Sequence, residues 1–107
     1  MKCEFKVKNN GADLLIEVAG QLDMYCVAQA KSDLNSLVQQ NGESPKVILD
    51  LSDLRTIDSS GIALLANTHK VLGEADRQLY LKNINSRIKS IFYNSFMDKI
   101  FNIIDDD

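Results

Sequence analysis

The 107-residue sequence predicts one α/β domain, a mixed β-sheet opened by a β-hairpin with helices packed against it. Three features predict this class. Asn9-Asn10-Gly11 is a hairpin signal between two short strand-like segments, so the chain begins β-β rather than β-α. Val47-Ile48-Leu49-Asp50-Leu51 is a nearly continuous apolar run, the pattern of a strand buried on both faces. Elsewhere apolar residues recur at spacings of three and four, which marks helices.

The elements follow in order. Cys3 to Lys8 alternates at period two, and Leu14 to Val18 is the second strand, closed by Gly20. Val27, Ala30, Leu34, Leu37 and Val38 lie on one face of a helix that ends near Asn41-Gly42. After Pro45 comes the strand Val47 to Leu51, and a second helix runs from Ile62 to about Leu72. Leu79-Tyr80-Leu81 reads as a strand, and Ser86 can cap a third helix carrying Ile88, Ile91 and Phe92. Phe101 to Ile104 is a short last strand or an extended segment. The order is β-β-α-β-α-β-α with a final β. One domain is expected over residues 1–104, followed by an acidic C-terminal end at 105–107.

Composition excludes several classes of function. An apolar fraction of 45% with a net charge of −3 is incompatible with global disorder. Asp105, Asp106 and Asp107 account for the whole acidic excess, fifteen acids against twelve bases. The body is therefore neutral and has no basic surplus to hold a phosphate backbone, so no nucleic-acid partner is expected. Cys3, Cys26 and His69 are the only Cys and His residues, whereas a structural zinc site normally needs four ligands. No metal or cofactor is expected, and the two cysteines read as reduced thiols. No window approaches the ~18 consecutive apolar residues of a membrane span. The first residues contain no apolar signal-like core, and a cytoplasmic protein is expected.

The segment that departs from ordinary punctuation is Asp58-Ser59-Ser60-Gly61, which joins an apolar strand to a helix. The first turn of a helix has unpaired N–H groups and the positive end of the dipole. A serine there can be a cap, an anion contact, a nucleophile or a phosphate acceptor. A nucleophile needs a base, and the only imidazole, His69, lies about 12–15 Å along the same helix at 1.5 Å per residue. Gly61 stands alone, without the Gly-Lys-Ser/Thr of a phosphate-binding loop. Asp50 lies in an apolar strand as a receiver-domain phosphoacceptor would, but the β-β start and the absence of an acidic pair after the first strand oppose that reading. Asp23 and Asp58 form a conceivable acid/base pair, yet nothing beside them would push their pKa values apart. Asp23 follows a strand, where an Asx-turn is common. Catalytic residues are not expected; the cap and the modified serine stay open.

These blocks resemble a known family. Gly20-Gln21-Leu22-Asp23, Val47-Ile48-Leu49-Asp50-Leu51 and Ile57-Asp58-Ser59-Ser60-Gly61-Ile62, with the register between them and the apolar helix Ile88 to Phe92, make the chain similar to STAS domains. The resemblance is closest to the free-standing anti-sigma-factor antagonists of bacteria. It implies a non-enzymatic, phosphorylation-switched binding module. When unmodified it would sequester an anti-sigma factor that is also a serine kinase, and a serine phosphatase would later reset it. It also implies that the acceptor is the serine directly after the aspartate, Ser59, with Asp23, Asp58, Ser60 and Gly61 as its neighbours. An alternative within the same family is a scaffold or accessory subunit of a stress-signalling or lipid-transport complex, in which Ser59 only caps a helix.

The sequence departs from the family pattern in three places. Cys26, a weak acceptor, stands where a capping threonine is common. Ala63 replaces a glycine, and the glycine usual after the third helix is missing, which leaves Asn94 to take a left-handed cap. Ile62, Leu64, Leu65, Val71 and Leu72 spread over more than one helix face. They read either as a broadly buried helix or as one with a few exposed residues for docking. Met24, Tyr25, Ile62 and Leu65 are the candidate partner contacts.

Overall fold

The computed structural model describes residues 2–104; of Asn9 and Asn10 only the backbone is described, and the expected acidic end at 105–107 lies outside the described residues. Strands β1 (Cys3–Asn10), β2 (Asp13–Leu22), β3 (Lys46–Ile57), β4 (Gln78–Lys82) and β5 (Asn102–Ile104) form one sheet in sequential order. The β1–β2 pair is antiparallel and all later pairs are parallel. Helices α1 (Val27–Gln40), α2 (Ser59–Glu74) and α3 (Ser86–Asn94) connect the parallel strands, and a short 3₁₀ turn (Met97–Lys99) precedes β5. The mixed sheet with its opening hairpin matches the class expected from sequence.

Sequential parallel strands joined by right-handed crossovers place every connecting helix on one face. Burial follows that rule. Leu14, Ile16 and Val18 of β2, Val47, Leu49 and Leu51 of β3, and Leu79 and Leu81 of β4 are buried under the helices. Against them lie Ala30 and Leu34 of α1, Leu64, Leu65 and Leu72 of α2, and Ile88 and Phe92 of α3. Phe101 joins α2 to α3: its ring stacks on Phe92 at 5.5 Å and meets His69 at 6.2 Å. The expectation that Val47 to Leu51 is buried on both faces fails, because Ile48 and Asp50 point to the uncovered side and are only half-buried. There Leu15, Ile48 and Tyr80 are paired neighbours across three strands, and the Lys46 ammonium sits 5.4 Å from the centre of the Tyr80 ring.

Two strands run further than the sequence reading allowed. β2 passes through Gly20 to Leu22, and β3 passes Leu51 to reach Ile57. The pairing of β2 with β3 slips twice, between Glu17 and Ala19 and between Gly20 and Gln21. Bulges of this kind break the period of two and re-aim side chains. They let Leu51, Leu54 and Ile57, spaced by three, all turn into the core. Gly20 holds φ at +101°, and a Cβ there would strike the Lys2 carbonyl oxygen, so the glycine shapes the strand rather than ending it.

Three local expectations are corrected. Asn85, not Ser86, caps α3: its side chain accepts from the Ile88 N–H at 3.0 Å and donates to the Leu54 carbonyl at 2.9 Å. Phe96, not Asn94, takes the left-handed conformation after α3, with φ +61°. Cys26 makes no side-chain cap, yet α1 does not start unsupported, because the Asp23 carbonyl accepts from Cys26 N–H and Val27 N–H at 3.0 and 2.9 Å.

Arg77 closes the opposite end of α1. Its guanidinium donates to the carbonyls of Val38, Asn41 and Ser44 at 3.1, 2.8 and 2.8 Å, tying the last turn of the helix to the loop that follows it. Hydrogen bonds to a charged group contribute more than neutral ones, and the fork geometry cannot be copied by an ammonium. Arg77→Ala is expected to lower unfolding stability by about 2 kcal/mol in urea titration, with Arg77→Lys recovering less than half.

Candidate functional site

The extended strands bring two corners together. Leu22, the last residue of β2, pairs with Ile57, the last of β3, so Asp23 and Asp58 leave the sheet side by side. The Asp58 N–H donates to the Leu22 carbonyl at 3.2 Å. Gly61 lies against the same junction. A Cβ on it would run into the Leu22 carbonyl oxygen and lie 2.7 Å from Ile57 Cγ1, so only glycine lets α2 begin this close to β2.

Asp58 is the cap of α2. Its Oδ1 accepts from the N–H groups of Ser60 and Gly61 at 3.0 and 3.1 Å and from the Ser60 hydroxyl at 2.6 Å. Its Oδ2 accepts from the Met24 N–H at 3.0 Å, across 34 residues of chain. The carboxylate thus closes the helix and ties it to the loop after β2. The Ser60 hydroxyl, followed by the N–H groups of Gly61, Met24 and Ser60, holds the Asp58 carboxyl below its ordinary value, against a smaller upward push from desolvation. Asp23 makes the Asx-turn expected of it, its Oδ1 accepting from Tyr25 N–H at 3.0 Å.

The two serines are not equivalent. The Ser60 side chain is half-buried and its hydroxyl is committed to Asp58. Ser59, the first residue of α2, is exposed, and its hydroxyl has no hydrogen-bond partner among the described residues. The residue types alone do not separate the two serines; only the family resemblance singles out Ser59.

The candidate partner contacts divide. Met24 and Tyr25 are 67% and 88% exposed in the loop that Asp58 holds. Ile62 is half-buried beside the core. Leu65 is corrected: at 1% exposed it belongs to the buried core and offers no contact surface. Of the helix residues weighed with it, Leu64 and Leu72 are also buried, and Val71 alone is largely exposed. His69 packs on Phe101, away from the serines, with its Nδ1 buried and without a hydrogen-bond partner. Asp50 spends both oxygens on Ser52 N–H and the Asn83 side chain, at 3.0 and 3.1 Å.

The lowered Asp58 pKa carries a sign. A carboxyl depressed on folding contributes stability above its unfolded value and loses it as pH falls through the folded one. Asp58→Ala is therefore expected to cost about 1–2 kcal/mol at pH 7. The gap from the unaltered protein should narrow as pH drops below the ordinary aspartate value of 3.8, followed by urea titration across pH.

Comparison with known proteins identifies the family. The STAS domain family model matches residues 4–106. An anti-sigma-B factor antagonist of Staphylococcus aureus is 29% identical over 77 residues, covering 72% of this chain and 69% of the relative. That of Bacillus subtilis is 26% identical over 92 residues, covering 86% and 82%. Among solved structures, the anti-sigma factor antagonist SpoIIAA superposes in its unphosphorylated form with a TM-score of 0.69 over 98% of this chain and 89% of its own, at 19% identity. The Bacillus SpoIIAA phosphorylated form superposes at 0.66 over 97% and 92%, also at 19% identity. With the family model spanning nearly its whole length, this chain belongs to the STAS domain family.

Proposed function

We propose that this protein is an anti-sigma-factor antagonist whose binding is switched by phosphorylation of Ser59. In this reading the unmodified protein sequesters an anti-sigma factor with serine kinase activity in the cytoplasm. Phosphorylation releases that partner, and a serine phosphatase restores the binding form. The protein itself performs no catalysis. The observation that carries the reading is the contrast between the serines: Ser60 is spent on the cap, while Ser59 projects free at the helix start. Relatives named as anti-sigma-B factor antagonists support the role. No described helix is long and apolar enough to cross a membrane.

The scaffold alternative keeps Ser59 as a helix cap, and that task is already filled. Asp58 accepts from both cap N–H groups, with the Ser60 hydroxyl as support.

Electrostatics explains how the switch would act without refolding. A phosphoryl group adds about −1.5 to −2 charges and three acceptor oxygens. At the first residue of α2 it meets the positive end of the helix dipole, which offsets part of its repulsion from Asp58. The exposed Met24 and Tyr25 stand on the loop tied to Asp58, so a partner covering them also covers Ser59. Such a partner would have to bury a solvated dianion, which costs far more than burying a hydroxyl.

Ser59→Asp and Ser59→Ala separate charge from the loss of the hydroxyl. In calorimetric titration with the anti-sigma kinase of the same cell, Ser59→Ala is expected to bind as the unaltered protein does. Ser59→Asp is expected to bind at least about tenfold more weakly, or ~1.4 kcal/mol, with a melting temperature within about 2 °C. Equal binding by both variants would exclude the switch.

A further inference from the structure

β1 is an edge of the sheet: among the described residues only β2 pairs with it. The other side of such a strand is a row of main-chain groups that can template a further strand. The ladder decides which residues supply that row. The Gln21 N–H donates to the Lys2 carbonyl at 3.5 Å, and residues along an antiparallel pair alternate in the bonds they make. Lys2, Glu4 and Lys6 therefore spend their main-chain groups on β2, while Phe5 and Val7 direct theirs outward. The side chains divide in the same way. Lys6 is paired with Glu17 and Glu17 with Asp50, so Glu4 and Lys6 stand exposed on the face that the helices leave uncovered. Phe5 and Val7 lie on the helix side, only partly buried against the core. Phe5 also lines a hollow of about 400 Å³ beside α1, together with Gln29 and Asp33.

We propose that the outer edge of β1 binds a second copy of this chain, antiparallel and centred on Phe5, so that the two sheets join into one. A twofold axis normal to the sheet sets Phe5 of one copy opposite Phe5 of the other, each directing its N–H and carbonyl at its mate. The same register sets Glu4 opposite Lys6 of the second copy, and Lys6 opposite Glu4 of the second copy. This complementarity selects the occupant, because the strand read in reverse supplies its own countercharges. Neighbouring registers lose it. Centring on Glu4 brings two carboxylates face to face, and centring on Lys6 brings two ammonium groups together; like charges directly opposite work against pairing. Lys6 is already paired with Glu17 of its own β2, so in the joined sheet it lies between two carboxylates. The bulge between Val7 and Asn9 bends the strand, ending the regular stretch before Lys8 would come opposite Lys2. The twofold axis keeps both helix layers on one face, where the two Phe5 rings meet beside the hollows next to α1. The opposite edge of the sheet, β5, is only three residues long. The inference stands independently of whether Ser59 is phosphorylated.

The test is sedimentation equilibrium of the full chain, with hydrogen exchange followed residue by residue. The unaltered protein should form a dimer whose fraction rises with concentration. Glu4→Lys and Lys6→Glu should each weaken self-association by about tenfold or more, because the twofold axis counts every like-charge pair twice. An equimolar mixture of the two variants should recover the dimer, since each Lys then faces a Glu. Exchange of the Phe5 amide should slow as the dimer forms, while the Glu4 and Lys6 amides, bound to β2, keep their rates. A monomer at every concentration up to about 1 mM, a dimer indifferent to both charge reversals, or a variant mixture that stays monomeric would each overturn the proposal. A dimer with unchanged Phe5 exchange would overturn it too, by placing the contact elsewhere.

Discussion

The Asp58 carboxylate is the contact on which the site depends. One oxygen closes the first turn of α2 and fixes the Ser60 hydroxyl, while the other reaches the Met24 N–H on a different connection. A cap alone would need only the first oxygen. The second makes one local charge the hinge between the helix that presents Ser59 and the loop that presents Met24 and Tyr25. Occupying the Ser60 hydroxyl also leaves Ser59 as the exposed alcohol of the pair.

That carboxylate is in place because of the sheet behind it. Two slips in the pairing of β2 with β3 carry both strands past the ordinary core, to Leu22 and Ile57, before they release their aspartates. Gly61 then allows α2 to start against the Leu22 carbonyl. The cost of the bulges is met by burial of Leu51, Leu54 and Ile57, which bind the strand extension to the helix layer. The corner thus stands at the ends of two paired strands and the start of a helix, which suits the proposed switch by charge rather than by shape.

Much of this was legible in the sequence, and the failures have physical causes. The hairpin, the helices and the Asp-Ser-Ser-Gly corner announce themselves through turn chemistry and apolar spacing, which are local. The full length of β3 does not, because Leu51, Leu54 and Ile57 are spaced by three once a bulge intervenes. The burial of Val47 to Leu51 on one face only is not visible in the sequence, because an apolar run carries no sign of which face is covered; sequential crossover order decides that. Leu65 looked eligible for docking only because the orientation of α2 is set by the sheet and by Gly61. The difference between Ser59 and Ser60 is likewise tertiary, fixed by which hydroxyl can reach Asp58.

The most direct test of the account is the modification state of one peptide. Trypsin cuts after Arg55 and Lys70, releasing Thr56–Lys70 with both serines and no internal basic residue. The protein is to be taken from its native cells under several growth conditions with phosphatases blocked, and this peptide fragmented by mass spectrometry. The account predicts a phosphoryl group on Ser59 whose occupancy changes with growth condition. Phosphate confined to Ser60, or a peptide unmodified under every condition, would contradict it.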